Sequence, residues 1–253
     1  MDKEVIPVCN ILGVNIAAIN MKWLLDFVTI RIKDGSSRLK GKYICVANVH
    51  TTVMSYENET YKNIQNNALM AIPDGGPLSG IGRKRGYTDM NRVTGPDFMG
   101  EILNMSVKHG YRHYFYGSTQ KTLDKLKANL KQDYHGIEIA GMQSPPFRPL
   151  SPAEDDEAIK EINSTNPDFI WIGLGAPKQE IWMANHQGEL HGLMVGVGAA
   201  FDYYAGNIKR APKWMQRHNL EWFYRLIQEP GKLFGRYVRT NTKFLWLVAM
   251  RGK

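Results

Sequence analysis

Asp74 has the sequence context of a catalytic base in this 253-residue chain. It directly follows the apolar stretch ALMAI and Pro73, and two glycines, Gly75 and Gly76, come after it. Glycine allows a backbone to approach a ligand closely, which favours an active-site position. The alternative is a turn aspartate that caps the next helix. Arg92, in NRVTGPD just before a predicted helix, is a candidate for binding a phosphate.

Two further turns carry polar residues that could contact a ligand. In DFIWIGLGAPKQEIWMANH, a strand ends at a glycine-rich turn containing Gly175, and a helix is predicted to begin near Lys178. Amide groups at a helix N-terminus attract anions, and Lys178 and Gln179 add hydrogen-bond donors. The turn matches neither the P-loop nor the GxGxxG fingerprint. Asp202, in GVGAAFDYYAG, either binds a ribose or sugar hydroxyl or anchors its own loop.

The elements that position these residues alternate along the chain. CNILGVNIAAI predicts a strand pair, MKWLLDFVTIRIK a helix, and YICVAN a buried strand. Further strands are predicted at ALMAIPD, HYFYG, IEIAG, DFIWIG and GLMVGVG, separated by helical stretches such as TQKTLDKLKANLKQ. This alternation predicts an α/β fold with a largely parallel sheet and helices on both faces. Ligands of such sheets bind beyond the carboxyl ends of the strands, where the polar residues above are found.

An acidic cluster at residues 154–157 invites comparison with a metal site. It follows Ser151, a predicted N-cap, and Pro152, and acidic residues in a first helical turn favour the positive end of the helix dipole. The chain also contains no Asp-x-Asp pair. We therefore expect a helix start here and no metal ligands. Cys9 and Cys45 are too few for a disulfide framework, which favours a reducing compartment.

The net charge of +8 is concentrated at the C-terminal end. Residues 207–253 contain eleven basic and two acidic residues, which gives +9 and leaves −1 for the rest of the chain. A basic end on a near-neutral body predicts an anionic partner at that end, either phospholipid headgroups or nucleic acid.

A helix predicted at residues 232–248 separates apolar from basic residues. At about 100° per residue, its apolar arc comprises Leu233, Phe234, Tyr237, Phe244, Leu245 and Val248. The basic arc comprises Lys232, Arg236, Arg239 and Lys243. This pattern fits a helix lying in a membrane interface, and it also fits an amphipathic helix packed on the protein body.

Nothing in the sequence predicts secretion or a membrane span. The N-terminus MDKEVIPVCN has acidic residues where a signal peptide has basic ones, and the longest apolar run near the C-terminus is FLWLVAM. Spanning a bilayer takes roughly 20 apolar residues. We expect a cytoplasmic protein that is peripheral on the inner face of the cell membrane.

Seven segments, taken together, resemble the WecG/TagA/CpsF family, glycosyltransferase family 26, over nearly the whole chain. They are NVHTTVM, PDGGPLSGIGRKRGY, NRVTGPDFM, YFYGS, GLGAPKQEIWM, GVGAAFDYYAG and RAPKWMQRHNLEWFYRLIQEPGKLFGRY. The resemblance implies an inverting enzyme with the Rossmann-like GT-E fold that forms a β-linkage. The donor would be a UDP-sugar, with N-acetylmannosamine as the family default. The acceptor would be an undecaprenyl-diphosphate-linked sugar in teichoic acid or other cell-surface polysaccharide synthesis.

The same resemblance implies roles for individual residues. Asp74 matches the proposed base, and the positions matching substrate-binding residues are Asn48, His50, Thr51, Arg92, Gly175, Lys178, Gln179, Asp202, Arg225 and Arg236. Residues 1–206 would form the catalytic domain. Residues 207–253 would form a helical appendage that meets the anionic membrane and completes the active site, with Arg225 and Arg236 near the lipid diphosphate. Catalysis is expected without a metal or other cofactor, and a homo-oligomer is possible.

The basic charge and the aromatic residues of the C-terminal segment also suggest a different function. A sequence pI of about 9.3 and aromatic residues among the basic ones, at Trp214, Trp222, Tyr224 and Tyr237, are compatible with a nucleic-acid-binding protein. That function leaves Asp74 and the glycine turns without a role, so we expect no nucleic-acid partner. A nucleotide-dependent oxidoreductase is a further alternative, but this sequence lacks the dinucleotide-binding fingerprint of that class. An exopolysaccharide or capsule transferase using a UDP-linked glucose, galactose, mannose or uronic acid remains an alternative.

Overall fold

The computed structural model describes residues 5–33 and 39–251, which form eight β-strands and twelve α-helices. The strands are β1 (Val8–Ile11), β2 (Val14–Ala17), β3 (Tyr43–Ala47), β4 (Met70–Pro73), β5 (Arg112–Gly117), β6 (Glu138–Gln143), β7 (Phe169–Gly173) and β8 (Leu193–Gly196). The helices are α1 (Met21–Lys33), α2 (Val49–Glu57), α3 (Glu59–Asn67), α4 (Gly76–Lys84), α5 (Gly95–His109), α6 (Gln120–Asp133), α7 (Pro152–Ser164), α8 (Lys178–Asn185), α9 (Ala200–Tyr204), α10 (Lys213–Arg217), α11 (Glu221–Gln228) and α12 (Pro230–Arg251).

Two compact units, both discontinuous in sequence, make up the described chain. The first takes its residues from 1–20, 47–94 and 208–253, and the second from 21–46 and 95–207. The division of function between residues 1–206 and 207–253 stays a prediction. Lys253 and the side chains of Lys232 and Arg251, all counted in the basic segment, lie outside what the structure describes.

The second unit contains a parallel sheet in the order β3, β8, β7, β5, β6. Its inner strands are apolar on both faces, as expected for strands covered by helices. Phe169, Ile170 and Trp171 of β7 are fully buried, and so are Tyr114 and Phe115 of β5.

A buried histidine links two elements of this second unit. His113 Nδ1 accepts a hydrogen bond from Trp171 Nε1 at 3.1 Å, and His113 Nε2 lies 2.8 Å from Ser106 Oγ. Because Ser106 Oγ donates to Ile102 O at 2.5 Å, the ring proton belongs on Nε2. Burial lowers the pKa of His113 to about 3. The imidazole is therefore neutral in the folded protein at physiological pH.

The first unit contains the strand order β1, β2, β4. β1 and β2 form the strand pair predicted for CNILGVNIAAI and run antiparallel, and β2 is parallel to β4 with Ile16 opposite Ala71. The described strands are thus mostly parallel and flanked by helices, and a long helix ends the described chain. The predicted α/β fold class with a C-terminal helix is confirmed.

Local signals located several helices correctly. α1 occupies the predicted MKWLLDFVTIRIK, and α7 begins after Ser151, whose Oγ accepts from the Glu154 amide at 3.3 Å. Glu154 in return accepts from the Ser151 amide at 2.8 Å, completing a capping box. The first residue of the acidic cluster thus has the local, helix-starting role that the sequence suggested.

Helix α12 packs against α2 and does not keep its predicted apolar arc on one surface. Leu233 and Phe244 are buried together with Leu247, whereas Phe234 and Leu245 are 62% and 66% exposed. The surface of α12 that faces α2 lies to one side of the predicted apolar arc. Part of the arc is therefore buried and the rest is exposed. None of the described helices is long and apolar enough to cross a bilayer.

The basic arc of α12 also has a partner on α2. Glu57, at the end of α2, accepts from Lys243 Nζ at 2.5 Å and lies 3.6 Å from Arg239. These ion pairs hold basic side chains that the sequence assigned to lipid headgroups, although Arg239 remains 74% exposed at its side chain.

Candidate active site

Asp74 lies where β4 ends, and backbone hydrogen bonds fix its surroundings. Its amide donates to Ala47 O at 2.8 Å, and the Val93 amide donates to Pro73 O at 2.8 Å. The second bond brings the segment containing Arg92 beside the end of β4. As a result, Arg92 Nε lies 3.9 Å from Asp74 Oδ1, with both side chains about one-fifth exposed.

The two glycines after Asp74 differ in how much room surrounds them. Gly75 precedes α4 and has room for a side chain, since a Cβ there would meet no atom closer than 3.8 Å. At Gly76 a Cβ would lie 2.5 Å from Asn219 Cγ. Gly76 therefore makes room for the side chain of Asn219, and the close approach of this turn to a ligand stays a prediction.

Asn48 and Thr51 form the N-terminal cap of α2. Asn48 Oδ1 accepts from the Thr51 amide at 3.1 Å, and Thr51 Oγ1 accepts from the Asn48 amide at 2.9 Å. This reciprocal capping box satisfies two amides that the helix leaves unpaired. Thr51 is 2% exposed, so its side chain has little surface to offer a ligand. The binding roles of both residues stay predictions beside this structural one.

His50 and Arg236 each bury a nitrogen that has no hydrogen-bond partner within the described residues. The atoms are His50 Nδ1 and Arg236 Nε. Burial is the main cause of a lowered pKa at His50, and the positive charge of Arg236 lowers it further. Unpartnered buried donors and acceptors are costly, so a polar ligand is one way to satisfy them. Their substrate-binding roles remain predictions.

Arg92 has a second partner that sequence reasoning missed. Its Nη2 donates to the carboxylate of Glu221 at the start of α11, and its Nη1 donates to Gln216 O at 3.3 Å. Glu221 also accepts from Arg210 Nε at 3.1 Å, and Arg210 Nη2 lies 3.5 Å from Thr94 Oγ1. The available signal was that only two acidic residues, Glu221 and Glu229, occur in the basic segment.

The other acidic residue of that segment is paired as well. Glu229 Oε2 lies 3.4 Å from Arg225 Nε, one helical turn away in sequence. Arg225, predicted to approach a lipid diphosphate, is thus partly neutralised. Its role, like that of Arg236, stays a prediction.

In the second unit, the predicted anion-binding turn precedes α8, which begins at Lys178 as expected. Gly175 adopts a φ of 78°, a left-handed conformation that favours glycine. Its amide donates to Gln179 Oε1 at 3.2 Å, and Gln179 Nε2 donates to the buried Glu180 at 2.8 Å. Lys178 is exposed, whereas Gln179 is buried. Glu180 is a buried carboxylate that the sequence analysis did not single out.

Asp202, in α9, makes the contacts expected if it anchors its own loop. Its Oδ1 accepts from Asn207 Nδ2 at 3.0 Å, and its backbone oxygen accepts from the Asn207 amide at 2.9 Å. A role in holding a sugar hydroxyl stays a prediction. Within residues 5–33 and 39–251, no group of three His, Cys, Asp or Glu side chains could hold a metal ion.

Ligands of open α/β sheets bind beyond the carboxyl ends of the strands, and an arginine at such a place can bind an anionic group. Comparison with known proteins makes the class specific. The sequence profile of the glycosyl transferase WecG/TagA/CpsF family matches residues 9–253, and the chain belongs to this family. The protein is therefore a glycosyltransferase.

Similar proteins carry the name N-acetylglucosaminyldiphosphoundecaprenol N-acetyl-beta-D-mannosaminyltransferase. One from Bacillus spizizenii is 29% identical over 217 residues, covering 82% of each chain. One from Bacillus subtilis is 29% identical over 220 residues, covering 86% of this chain and 83% of the relative. One from Staphylococcus aureus is 25% identical over 241 residues, covering 95% and 91%.

Proposed function

We propose that this protein transfers an N-acetylhexosamine or hexose from a UDP-sugar to a sugar linked to undecaprenyl diphosphate. The observation that carries the proposal is the Asp74 carboxylate at the end of β4, 3.9 Å from the Arg92 guanidinium. The names of the relatives support an N-acetylglucosamine-linked acceptor and an N-acetylmannosamine donor. The product would belong to teichoic acid or another cell-surface polysaccharide.

In the proposed mechanism, Asp74 accepts the proton of the acceptor hydroxyl as that oxygen attacks the anomeric carbon. Attack from the side opposite UDP breaks the bond to the diphosphate in one displacement and inverts the configuration. Arg92 is the cation proposed to offset charge on a diphosphate. Within the second unit, Lys178 and Gln179 at the start of α8 are proposed to donate hydrogen bonds to an anionic group.

The direct test is a UDP-release assay with a panel of UDP-sugars and a prenyl-diphosphate-linked N-acetylglucosamine acceptor. UDP-N-acetylmannosamine should give the fastest release, and NMR of the product should show a β-linkage. Because the Arg92 guanidinium beside Asp74 is proposed to offset the charge of the diphosphate in place of a metal, EDTA should leave the rate unchanged. Release with no donor of the panel would contradict the proposal.

A membrane-facing role for residues 207–253 is supported by apolar side chains that remain exposed in the first unit. These are Trp214, Trp222, Phe223, Ile227, Phe234, Val238, Leu245, Trp246 and Met250. Aromatic and aliphatic side chains next to basic ones are typical of surfaces that bind anionic membranes. A lipid-linked acceptor is found at such a surface, so the two proposals support each other.

Vesicle flotation tests this surface. A Trp222→Ser, Phe234→Ser, Leu245→Ser variant should lose binding to vesicles containing anionic lipid, because it removes three exposed apolar groups without opening the core. Phe147→Ser, which removes an 82% exposed aromatic residue of the second unit, is the matched control and should bind normally. Equal binding by both variants would contradict the membrane role.

A further inference from the structure

Arg92 and Arg210 bind the same carboxylate. Glu221 receives Nη2 of Arg92 on one oxygen and Nε of Arg210 on the other, the latter at 3.1 Å. The three side chains are only 12–26% exposed. Guanidinium groups bind carboxylates and phosphates through the same planar arrangement of N–H donors. Two guanidinium groups converging on one anion form a site that a phosphate could also occupy.

We propose that Arg92 and Arg210 together bind a diphosphate group of a substrate, and that Glu221 occupies this site in the free protein. The inference rests on the proposed function, which supplies the diphosphate, and it assigns Arg210 a binding role. Until the substrate enters, Glu221 serves as an internal competitor.

Charge explains why the site needs an internal anion. Two partly buried guanidinium groups that approach one anion position repel each other when that position is empty, and burial makes an unpaired charge costly. Glu221 removes this cost. With Asp74, 3.9 Å from Arg92, the four side chains have no net charge. A diphosphate that binds both guanidinium groups would therefore take the position of the Glu221 carboxylate.

The position of Glu221 makes displacement inexpensive. It is the first residue of α11, an eight-residue helix in which no side chain is buried. Segments with few buried apolar contacts move at low free-energy cost. A diphosphate with at least two negative charges is a stronger partner for both arginines than a single carboxylate.

Calorimetric titration of UDP and of a soluble short-chain prenyl-diphosphate-N-acetylglucosamine tests the inference, with uridine as a phosphate-free probe. Glu221→Gln should tighten binding of the diphosphate compound that uses the site by about tenfold, because the competitor has lost its charge. Arg210→Gln should weaken it by about tenfold. Uridine affinity should not change. Glu59→Gln removes the same charge from an exposed ion pair with Lys62 and should behave like wild type.

The two diphosphate compounds distinguish the source of the ligand. If the two substitutions change the affinity for UDP alone, the site belongs to the donor. If they change the affinity for the prenyl compound alone, it belongs to the acceptor. Either result supports the inference. If both folded variants bind both compounds within twofold of wild type, the inference is overturned. Should Glu221→Gln fail to fold, Arg210→Gln decides by the same criterion. UDP release by the wild-type protein is measured separately. If wild type releases UDP but the variants bind both compounds as wild type does, only this inference is overturned and the proposed function stands.

Discussion

The carboxylate of Asp74 and the guanidinium of Arg92 are brought together by backbone hydrogen bonds, not by neighbouring positions in sequence. The bond from the Val93 amide to Pro73 O sets their spacing. A base in such a position must reach the acceptor hydroxyl with its carboxylate oxygen. Replacing that oxygen with an amide nitrogen keeps the shape and removes the proton acceptor.

We therefore expect Asp74→Asn to reduce UDP release by about 10²- to 10⁴-fold, the usual contribution of general-base catalysis. Thermal unfolding should show that the variant is folded. Asp89→Asn makes the same change at an exposed residue between β4 and α5 and should retain wild-type turnover. Near-normal turnover by folded Asp74→Asn would remove Asp74 from the role of base.

At the scale of elements, the N-terminus of α2 combines a structural and a predicted binding role in one side chain. Asn48 Oδ1 caps the helix, while its amide nitrogen is the part that could donate to a substrate. The two roles use different atoms and can be separated by choice of substitution.

Asn48→Ser keeps a capping oxygen and should change the free energy of unfolding by less than about 0.5 kcal/mol, whereas Asn48→Ala should cost about 1 kcal/mol. If the amide nitrogen contacts the substrate, both variants should lose UDP-release activity to the same extent. Urea unfolding and turnover measure the two effects. An Asn48→Ser variant with full activity would leave Asn48 with its capping role alone.

Helix α12 packs against α2, and the membrane contact proposed for it would compete with the ion pairs that it makes there. Lys243 and Arg239 pair with Glu57, and the hydrogen bond from Lys243 is the main cause of a lowered pKa at Glu57. Glu57→Gln should free both basic side chains and strengthen binding to anionic vesicles by about fivefold for each one released. Flotation with graded anionic lipid measures this. Glu59→Gln is the control, and equal affinities of the two variants would show that the Glu57 ion pairs do not compete with lipid.

At the scale of the whole molecule, a neutral buried histidine couples folding to pH. His113 has a pKa of about 3 when folded, and an exposed histidine titrates near 6.5. Between these values the unfolded state binds one more proton than the folded state. The free energy of unfolding therefore falls as pH decreases through this window, and the contribution is fully present above it.

Between pH 7 and pH 5, wild type should lose about 2 kcal/mol more stability than His113→Gln, which cannot titrate. Urea unfolding at the two pH values measures the difference. The comparison cancels the contribution of carboxylates shared by both proteins. Parallel losses in the two proteins would mean that His113 is protonated in the folded state.

The order of elements could be read from the sequence, because each depends on signals within a few residues. Short apolar runs located the strands, a period-3.6 apolar pattern located α1, and Ser151 with Glu154 located the start of α7. The strand-end rule then selected Asp74 as the candidate base. The family motifs added predicted binding roles that local patterns alone would not have assigned, such as those of Asn48 and Arg225.

The sequence by itself determined the α/β class, the strand-end location of Asp74 and the basic character of the C-terminal segment. Only the tertiary structure decided how those charges are paired, because Arg92 and Glu221 are 129 positions apart and no local pattern specifies their meeting. It also decided which side of α12 is buried, since a helical arc states what is apolar but not where the neighbouring helix lies. Folding brings distant segments into contact, and in this protein those contacts place a carboxylate between two arginines beside the candidate base.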